Sequence, residues 1–271
     1  MAKPCVFCGQ FAPMTKEHIW GEWIRQYVPS GANKHYLKDV EVNKAGQEEH
    51  VSITQRNGSA IGSYRKIVCD KCNNAFLSRI QNRAKPFLIP LLEGRRTALV
   101  AKAQTAIATW ATMVTMTAEF FLNSSGKIAI SGEDRAQLRA TETALTDWDI
   151  WIGHYPGGTN QHRWTHTSIP IVGGAELPGP DNVYTPLPNT QTTTFVVGKL
   201  YVHTMRSHYP ELSRNWHWLD NPRLRHLHVP IWPIRHELIA WPINGLSDAD
   251  VSLASEMFIR WLGDIAWKAG F

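Results

Sequence analysis

Two cysteine motifs, Cys5-Val-Phe-Cys8 and Cys69-Asp-Lys-Cys72, decide the fold that this sequence predicts. Within each motif the two thiols can turn to the same side, and two such pairs complete the tetrahedral coordination of one Zn²⁺ ion at about 2.3 Å per bond. Four thiolates leave no open position, so we predict a structural ion that ties the N-terminal cysteine knuckle to a helix starting near Cys72. Free or redox-active thiols are the alternative interpretation of the same motifs.

The chain around these motifs has the composition of a globular protein. Of its 271 residues, 43% are hydrophobic and 19% are charged, which excludes wholesale disorder. The first residues lack the apolar segment of a secretory signal, and the most apolar stretch, Ala103 to Ala118, is shorter than the ~20 residues of a membrane span. We therefore expect a cytoplasmic protein without membrane association, where metal binding by the cysteines is favoured over disulfides.

Positive charge is concentrated in the N-terminal third of the sequence. The whole chain has a formal net charge of +5, and residues 1–95 carry 14 Lys and Arg against 8 Asp and Glu. Residues 199–235 form a second, smaller basic zone. Two basic zones suit a polyanionic partner such as nucleic acid, with binding that weakens as the salt concentration rises.

The pattern of apolar residues, prolines and glycines divides the chain into two parts. We predict an N-terminal zinc module over residues 1–95 and an α+β domain over residues 96–271. Helical spacing predicts helices over 17–28, 70–83, 97–122, 133–145 and 247–267, with Pro86 and Pro90 interrupting the pattern after the second. Ser131 is a candidate N-cap for the fourth helix. Alternation predicts strands over 64–68, 148–155, 168–172 and 192–204, and short strands within 227–241.

A third motif lies between the cysteine pairs, and a fourth follows the second pair directly. These are Thr15-Lys-Glu-His-Ile19 and Asn73-Asn74. In this order the four motifs resemble the HNH endonuclease family of the four-cysteine zinc type, the ββα-metal nucleases. The likeness extends to a bacterial and phage subgroup in which a larger domain follows the nuclease module. It covers about a third of the chain and implies a treble-clef-like N-terminal module.

The resemblance implies roles for three side chains, and each role agrees with ordinary chemistry. His18 would be the general base, since a neutral imidazole with a pKa near 6.5 can take a proton from water at neutral pH. Glu17 and Asn73 would hold Mg²⁺ or Mn²⁺ through oxygen atoms, which such ions prefer, while water fills the remaining positions. Asn74 and Gln81 are possible additional members of the site.

The sequence also departs from the family pattern. Many members carry Asp where Glu17 stands, and the subgroup usually has Pro at the position of Gly21 and often Glu at that of Gln81. If that glutamate is a metal ligand, Gln81 would be a weaker, neutral one. Adjacent residues of a strand point to opposite faces, so Glu17 and His18 serve one site only if the backbone bends there or they approach from different sides.

Three hypotheses follow for the function. The first is a metal-dependent HNH endonuclease that acts on DNA, with structural Zn²⁺, catalytic Mg²⁺ or Mn²⁺, and phosphate contacts from Lys16, Arg65, Lys66 and Lys71. The second is a zinc-stabilised nucleic-acid-binding protein that does not cleave. The third is a structural zinc protein whose C-terminal domain binds another protein. In the first hypothesis too, that domain offers a surface for a protein partner or for self-association.

Overall fold

A hairpin, a long helix and an antiparallel sheet form the frame of this mixed α+β protein. The computed structural model describes residues 3–28, 34–42, 48–57, 60–122, 128–159, 162–169, 188–209 and 221–256. In the N-terminal part, β1 (Met14–His18) pairs antiparallel with β4 (Tyr64–Cys69), and β2 (Lys34–Val42) pairs antiparallel with β3 (Glu48–Asn57). The predicted strand over 64–68 is thereby confirmed.

One helical segment runs from the second cysteine motif to Gly94. It begins as α1 (Asp70–Cys72), widens into a π-helical stretch (Asn73–Leu77) and continues as α2 (Ser78–Glu93). The predicted interruption at Pro86 and Pro90 is wrong, since both prolines lie inside α2. A proline inside a helix costs about 3 kcal/mol, and burial of the apolar face of α2 offsets this cost. The buried residues are Ile80, Ala84, Leu88, Leu91 and Leu92.

The C-terminal part is built on a five-stranded antiparallel sheet. The strands of this part are β5 (Thr97–Val100), β6 (Trp148–His154), β7 (Trp164–Ile169), β8 (Thr190–Val197), β9 (Leu200–Ser207), β10 (Val229–Trp232) and β11 (Leu238–Trp241). Their order in the sheet is β10-β6-β9-β8-β7, and a separate pair joins β5 to β11. Its helices include α3 (Ala101–Leu122) and α4 (Gly132–Thr141), and residues 248–256 are helical as well. Ser131 caps α4 in a capping box with Asp134, as the sequence predicts for the cap.

Several predicted elements have different bounds in the structure. The helix expected over 17–28 is the end of β1 followed by a 3-10 turn (Glu22–Gln26). The helix expected from residue 97 begins at Ala101, because residues 97–100 pair with β11. The run 192–204 is two strands joined by a turn at Gly198, whose φ of +56° suits glycine. Residues 170–172 and 257–267 of two other predicted elements lie outside the described residues.

A single hydrophobic cluster extends across the predicted boundary between residues 95 and 96. Phe195 of β8 packs between Trp20 and Trp110, with ring centroids 6.3 and 5.8 Å away. The Lys199 backbone N–H also donates to the Leu92 carbonyl at 2.9 Å, which fixes the β8–β9 turn to the end of α2. The two-domain division remains a prediction. Residues on both sides of the predicted boundary share one hydrophobic core.

Within the described ranges, none of the helices combines the length and the apolar character needed to cross a membrane.

Candidate active site

The four cysteines come together in space although the two pairs are far apart in the chain. Their sulfur atoms all lie within 4.8 Å of one another, and Cys8 Sγ is 3.7 Å from Cys69 Sγ. Thiolates at about 2.3 Å from a tetrahedral Zn²⁺ are about 3.8 Å apart, so the cluster fits the ion. Among the described residues it is the only group of three or more His, Cys, Asp or Glu side chains arranged to hold a metal.

Backbone N–H groups favour the ionised form of one thiol in the cluster. Burial tends to raise the pKa of Cys5, but hydrogen bonds from the backbone of Cys69, Phe7 and Cys8 outweigh it and bring the value to about 7. Cys69 N donates to Cys5 Sγ at 3.4 Å. Burial raises the pKa of Cys69 and of Cys72. A bound cation would favour the ionised form of all four, because metal ligation requires thiolates.

An irregularity in the β1–β4 hairpin supplies the bend that Glu17 and His18 need. Thr15 stands opposite Val68, but Glu17 stands opposite Arg65, so β4 has one extra residue between the two pairs. Such a bulge increases the local twist and re-aims side chains, and bulges are common beside active sites. It lies beside Glu17 and His18, which both line the same pocket although they are adjacent on β1.

An open pocket of about 570 Å³ brings five of the predicted site residues together: Lys16, Glu17, His18, Asn73 and Gln81. Its lining comprises Lys16, Glu17, His18, Gly21, Glu22, Arg25, Gly62, Tyr64, Asn73 and Gln81. The pocket thus joins the β1 motif, the residue after the last cysteine, and Gln81 on α2. Of the other predicted residues, Asn74, Arg65, Lys66 and Lys71 are not part of the lining.

Glu17 is a buried carboxylate at the wall of the pocket. It is only 3% exposed, and burial raises its pKa to about 7. No hydrogen bond or ion pair joins it to another described residue. A buried carboxylate without a partner is costly unless it is protonated or meets a cation. Glu17 is thus suited to bind a divalent ion that enters from the pocket.

His18 is half-buried beside Tyr64, with the two ring centroids 5.8 Å apart and the ring planes at 65°. Burial lowers the pKa of His18; the carboxylate of Glu22 opposes this effect, and Arg25 and Lys16 reinforce it. The imidazole is therefore neutral at pH 7. Within the described part of the chain it makes no hydrogen bond, so a ring nitrogen is available to accept a proton from water.

The hydrogen bonds around Asn73 fix which way its amide points. Thr15 Oγ1 donates its hydrogen to the Val68 carbonyl at 3.0 Å, so the same oxygen must accept the bond from Asn73 Nδ2 at 3.0 Å. The Lys16 carbonyl also accepts from Asn73 Nδ2, at 3.5 Å. These contacts occupy the amide nitrogen. No described residue donates to Asn73 Oδ1, which is thereby suited to bind a cation.

The π-helical stretch also shapes the position of Asn73. A π-turn adds one residue to a helix turn and often occurs at functional sites. Here it begins at Asn73, directly after Cys72, and Ser78 Oγ donates to the Asn73 carbonyl at 2.9 Å. The cysteine cluster and this hydrogen bond hold the backbone of Asn73 from both sides.

Gln81 lines the pocket as a neutral side chain. Its Oε1 accepts a hydrogen bond from Trp23 Nε1 at 3.0 Å. A Cβ atom at Gly21 would lie 2.0 Å from this oxygen and 2.6 Å from the Trp23 nitrogen. Glycine at position 21 therefore leaves room for the bond between Trp23 and Gln81.

The residues predicted to contact nucleic acid differ in their solvent exposure and in their contacts within the protein. Lys16 is exposed, and its Nζ lies 4.8 Å from the centre of the Tyr64 ring. Lys66 and Lys71 are exposed on β4 and α1. Arg65 instead donates from Nη2 to the Phe121 carbonyl at 3.3 Å and packs over the Phe121 ring, so it supports the end of α3. Asn74 donates to Asp70 Oδ1 at 2.7 Å.

Sequence reasoning missed three polar or aromatic residues of the pocket: Glu22, Arg25 and Tyr64. Arg25 Nη1 lies 3.4 Å from Glu22 Oε1, an i,i+3 pair that the sequence could have indicated. A Cβ at Gly62 would approach the Arg25 guanidinium to 3.0 Å, so glycine leaves space for it. Tyr64 faces His18 across the hairpin, and only the strand register reveals that pairing.

The chain matches no protein-family model, no curated protein and no solved structure among those compared with it.

Proposed function

We propose that this protein is a metal-dependent HNH-type endonuclease that hydrolyses phosphodiester bonds of DNA. The observation that carries the proposal is the pocket itself, which is lined by a neutral imidazole, by a buried carboxylate that has no partner among the described residues, and by an asparagine that directly follows the four-cysteine cluster. The order of these residues in the chain is also that of the family which the sequence resembles.

The four cysteines would hold structural Zn²⁺, and this ion would keep Asn73 at a fixed distance from the β1–β4 hairpin. Precise placement matters because positioning supplies much of the rate enhancement in such reactions. A site attached to a strand and a helix varies less in geometry than one on loops. In this arrangement the zinc ion supports catalysis without touching the substrate.

His18 would take the proton from the attacking water. Its pKa is below the ordinary value because the ring is half-buried, so the basic form predominates at neutral pH. The edge-to-face contact with Tyr64 limits the orientations of the ring. Lys16 and Arg25, both exposed and both in the pocket lining, would attract the phosphate backbone to the site.

Glu17 and Asn73 would hold Mg²⁺ or Mn²⁺, which when bound neutralises charge on the phosphoryl oxygens and the leaving oxygen. Two observations favour these residues. The Glu17 carboxylate is buried without a partner among the described residues, and the hydrogen bonds of the Asn73 amide leave its oxygen unused. Glu17 would give up its proton when the ion binds, so binding should weaken below pH 7.

The decisive experiment incubates the purified protein with supercoiled plasmid DNA and Mg²⁺ or Mn²⁺. We expect conversion to nicked or linear DNA that stops with EDTA and is lost in His18→Ala. His236→Ala is the matched control, since His236 is exposed, precedes β11 and is not part of the pocket. Equal cleavage by wild type and His18→Ala would contradict the proposal.

The second candidate is a nucleic-acid-binding protein that has kept the zinc scaffold without cleavage. One observation favours it: Gln81, at the position where the family often has a carboxylate, is neutral, and its oxygen already accepts a bond from Trp23. Glu17 is then the only buried carboxylate in the pocket lining. Salt-sensitive DNA binding by wild type, without cleavage under any divalent ion, would support this candidate over the first.

A further inference from the structure

The pocket has an exposed aromatic ring that the proposed chemistry does not use. Tyr64 is 42% exposed, among the most exposed large hydrophobic side chains of the described residues. It lies in the lining beside His18, with the ring centroids 5.8 Å apart. Exposure of a single ring is ordinary, but this ring lies in the lining of a pocket among polar and charged side chains, where it is accessible to a ligand that enters the pocket.

The charges around Tyr64 indicate the chemistry of that ligand. Lys16 Nζ lies 4.8 Å from the ring centre, and Arg25 lines the same pocket. An aromatic face combined with cations is the arrangement that proteins use for unpaired nucleotides, where the base stacks on the ring and the phosphates meet the cations. A base inside a duplex is stacked on its neighbours and has no free face, so it must leave the duplex first.

We propose that Tyr64 stacks on an unpaired nucleobase of the DNA strand next to the phosphate that is cleaved, and that Lys16 and Arg25 hold the phosphates on either side. The proposal rests on the proposed function and extends it to a substrate class: single-stranded DNA, or duplex DNA with a frayed or unpaired nucleotide. Intact duplex is then the weaker substrate. Tyr64 would be a binding residue, and the proton transfer would remain with His18.

The test measures binding without added divalent ions, so that cleavage does not interfere. The probe is a short single-stranded oligonucleotide containing 2-aminopurine, a base whose fluorescence falls when it stacks; the same oligonucleotide in a blunt duplex is the comparison. Wild type should quench the single strand and bind it more tightly than the duplex. Tyr64→Ala should lose the quenching and bind the single strand about 5- to 150-fold more weakly.

Three further variants separate stacking from packing. Tyr64→Phe keeps the ring and should rescue most of the binding and quenching. Tyr64→Leu keeps apolar bulk against His18 without a ring and should behave like Tyr64→Ala. Phe11→Ala removes another exposed aromatic ring, 71% exposed and outside the pocket lining, and should match wild type. Bound zinc and the melting temperature verify that each variant is folded.

The outcomes distinguish this inference from the proposed function. If Tyr64→Ala or Tyr64→Leu binds and quenches as wild type does, or if wild type prefers the duplex, the stacking proposal is wrong even where His18-dependent cleavage is present. If wild type stacks the base through Tyr64 but never cleaves, the stacking proposal is supported, and the endonuclease proposal gives way to the non-cleaving candidate.

Discussion

Substitution of the buried carboxylate in the pocket, Glu17→Gln, should stabilise the protein in a way that depends on pH. Burial raises the pKa of Glu17 from its ordinary value of 4.5 to about 7, so the folded state prefers the protonated form. In wild type the cost of ionising it is absent below pH 4.5, grows between pH 4.5 and 7, and is complete above pH 7. The amide of the Glu17→Gln variant carries no charge and avoids this cost at every pH.

The size of the effect follows from the shift in pKa. Since one pKa unit corresponds to about 1.4 kcal/mol, ionised Glu17 destabilises the fold by about 3 kcal/mol above pH 7. The buried amide of the variant has its own cost, but that cost does not change with pH. The stability difference between Glu17→Gln and wild type should therefore grow by about 2.5 kcal/mol from pH 5 to pH 8, because a small part of the cost is already present at pH 5.

Urea unfolding at several pH values, without added divalent ions, measures this difference. Glu22→Gln is the matched control, because Glu22 lines the same pocket but its side chain is 68% exposed, and its difference from wild type should be nearly constant. Mg²⁺ should stabilise wild type at pH 8 and reduce the gap, as expected for an ion that binds only the folded protein. A Glu17→Gln difference that stays constant from pH 5 to 8 would refute the reasoning.

The remaining predictions concern zinc, the α3 contact and the neutral residue of the pocket. Cys72→Ser should lose bound zinc and unfold the N-terminal module, whereas His18→Ala should keep about one zinc per chain; elemental analysis and thermal melting check both. Arg65→Ala should cost about 1–2 kcal/mol in urea unfolding, because Arg65 binds the Phe121 carbonyl and ring. Gln81→Glu keeps an acceptor for Trp23 and adds a charged ligand, so Mg²⁺ should bind roughly tenfold more tightly in calorimetry; unchanged affinity would show that residue 81 does not face the ion.

The sequence could predict the features that depend on residues only a few positions apart in the chain. The Cys-x-x-Cys motifs predicted a four-sulfur cluster, because each spacing already places two thiols together, and the cluster is found. The strand ending at Cys69 and the cap at Ser131 are also local patterns, and both are confirmed. The strand, the cap and each cysteine pair depend on residues close together in the chain, whereas the meeting of the two distant pairs was predicted from the four ligands that a tetrahedral zinc ion requires.

Features that depend on distant parts of the chain could not be predicted in the same way. The helix α2 passes through Pro86 and Pro90 because its apolar face is buried against the rest of the core, which no local rule contains. The bulge opposite Glu17 and the packing of Tyr64 on His18 depend on the register of two strands separated by a long insertion. The sequence motifs indicated Glu17, His18 and Asn73 as candidate site residues, but only the structure shows that they line the same pocket.

The claim that Asn73 and Glu17 face one divalent ion can be tested most directly by titrating the zinc-loaded protein with Mn²⁺ and following free Mn²⁺ by electron paramagnetic resonance. We predict one site per chain at pH 8, lost in Glu17→Gln and weakened in Asn73→Ala, and kept in Asn74→Ala, since the Asn74 amide bonds to Asp70 outside the pocket lining. Absence of Mn²⁺ binding in wild type, or equal binding in Asn73→Ala and Asn74→Ala, would contradict the account.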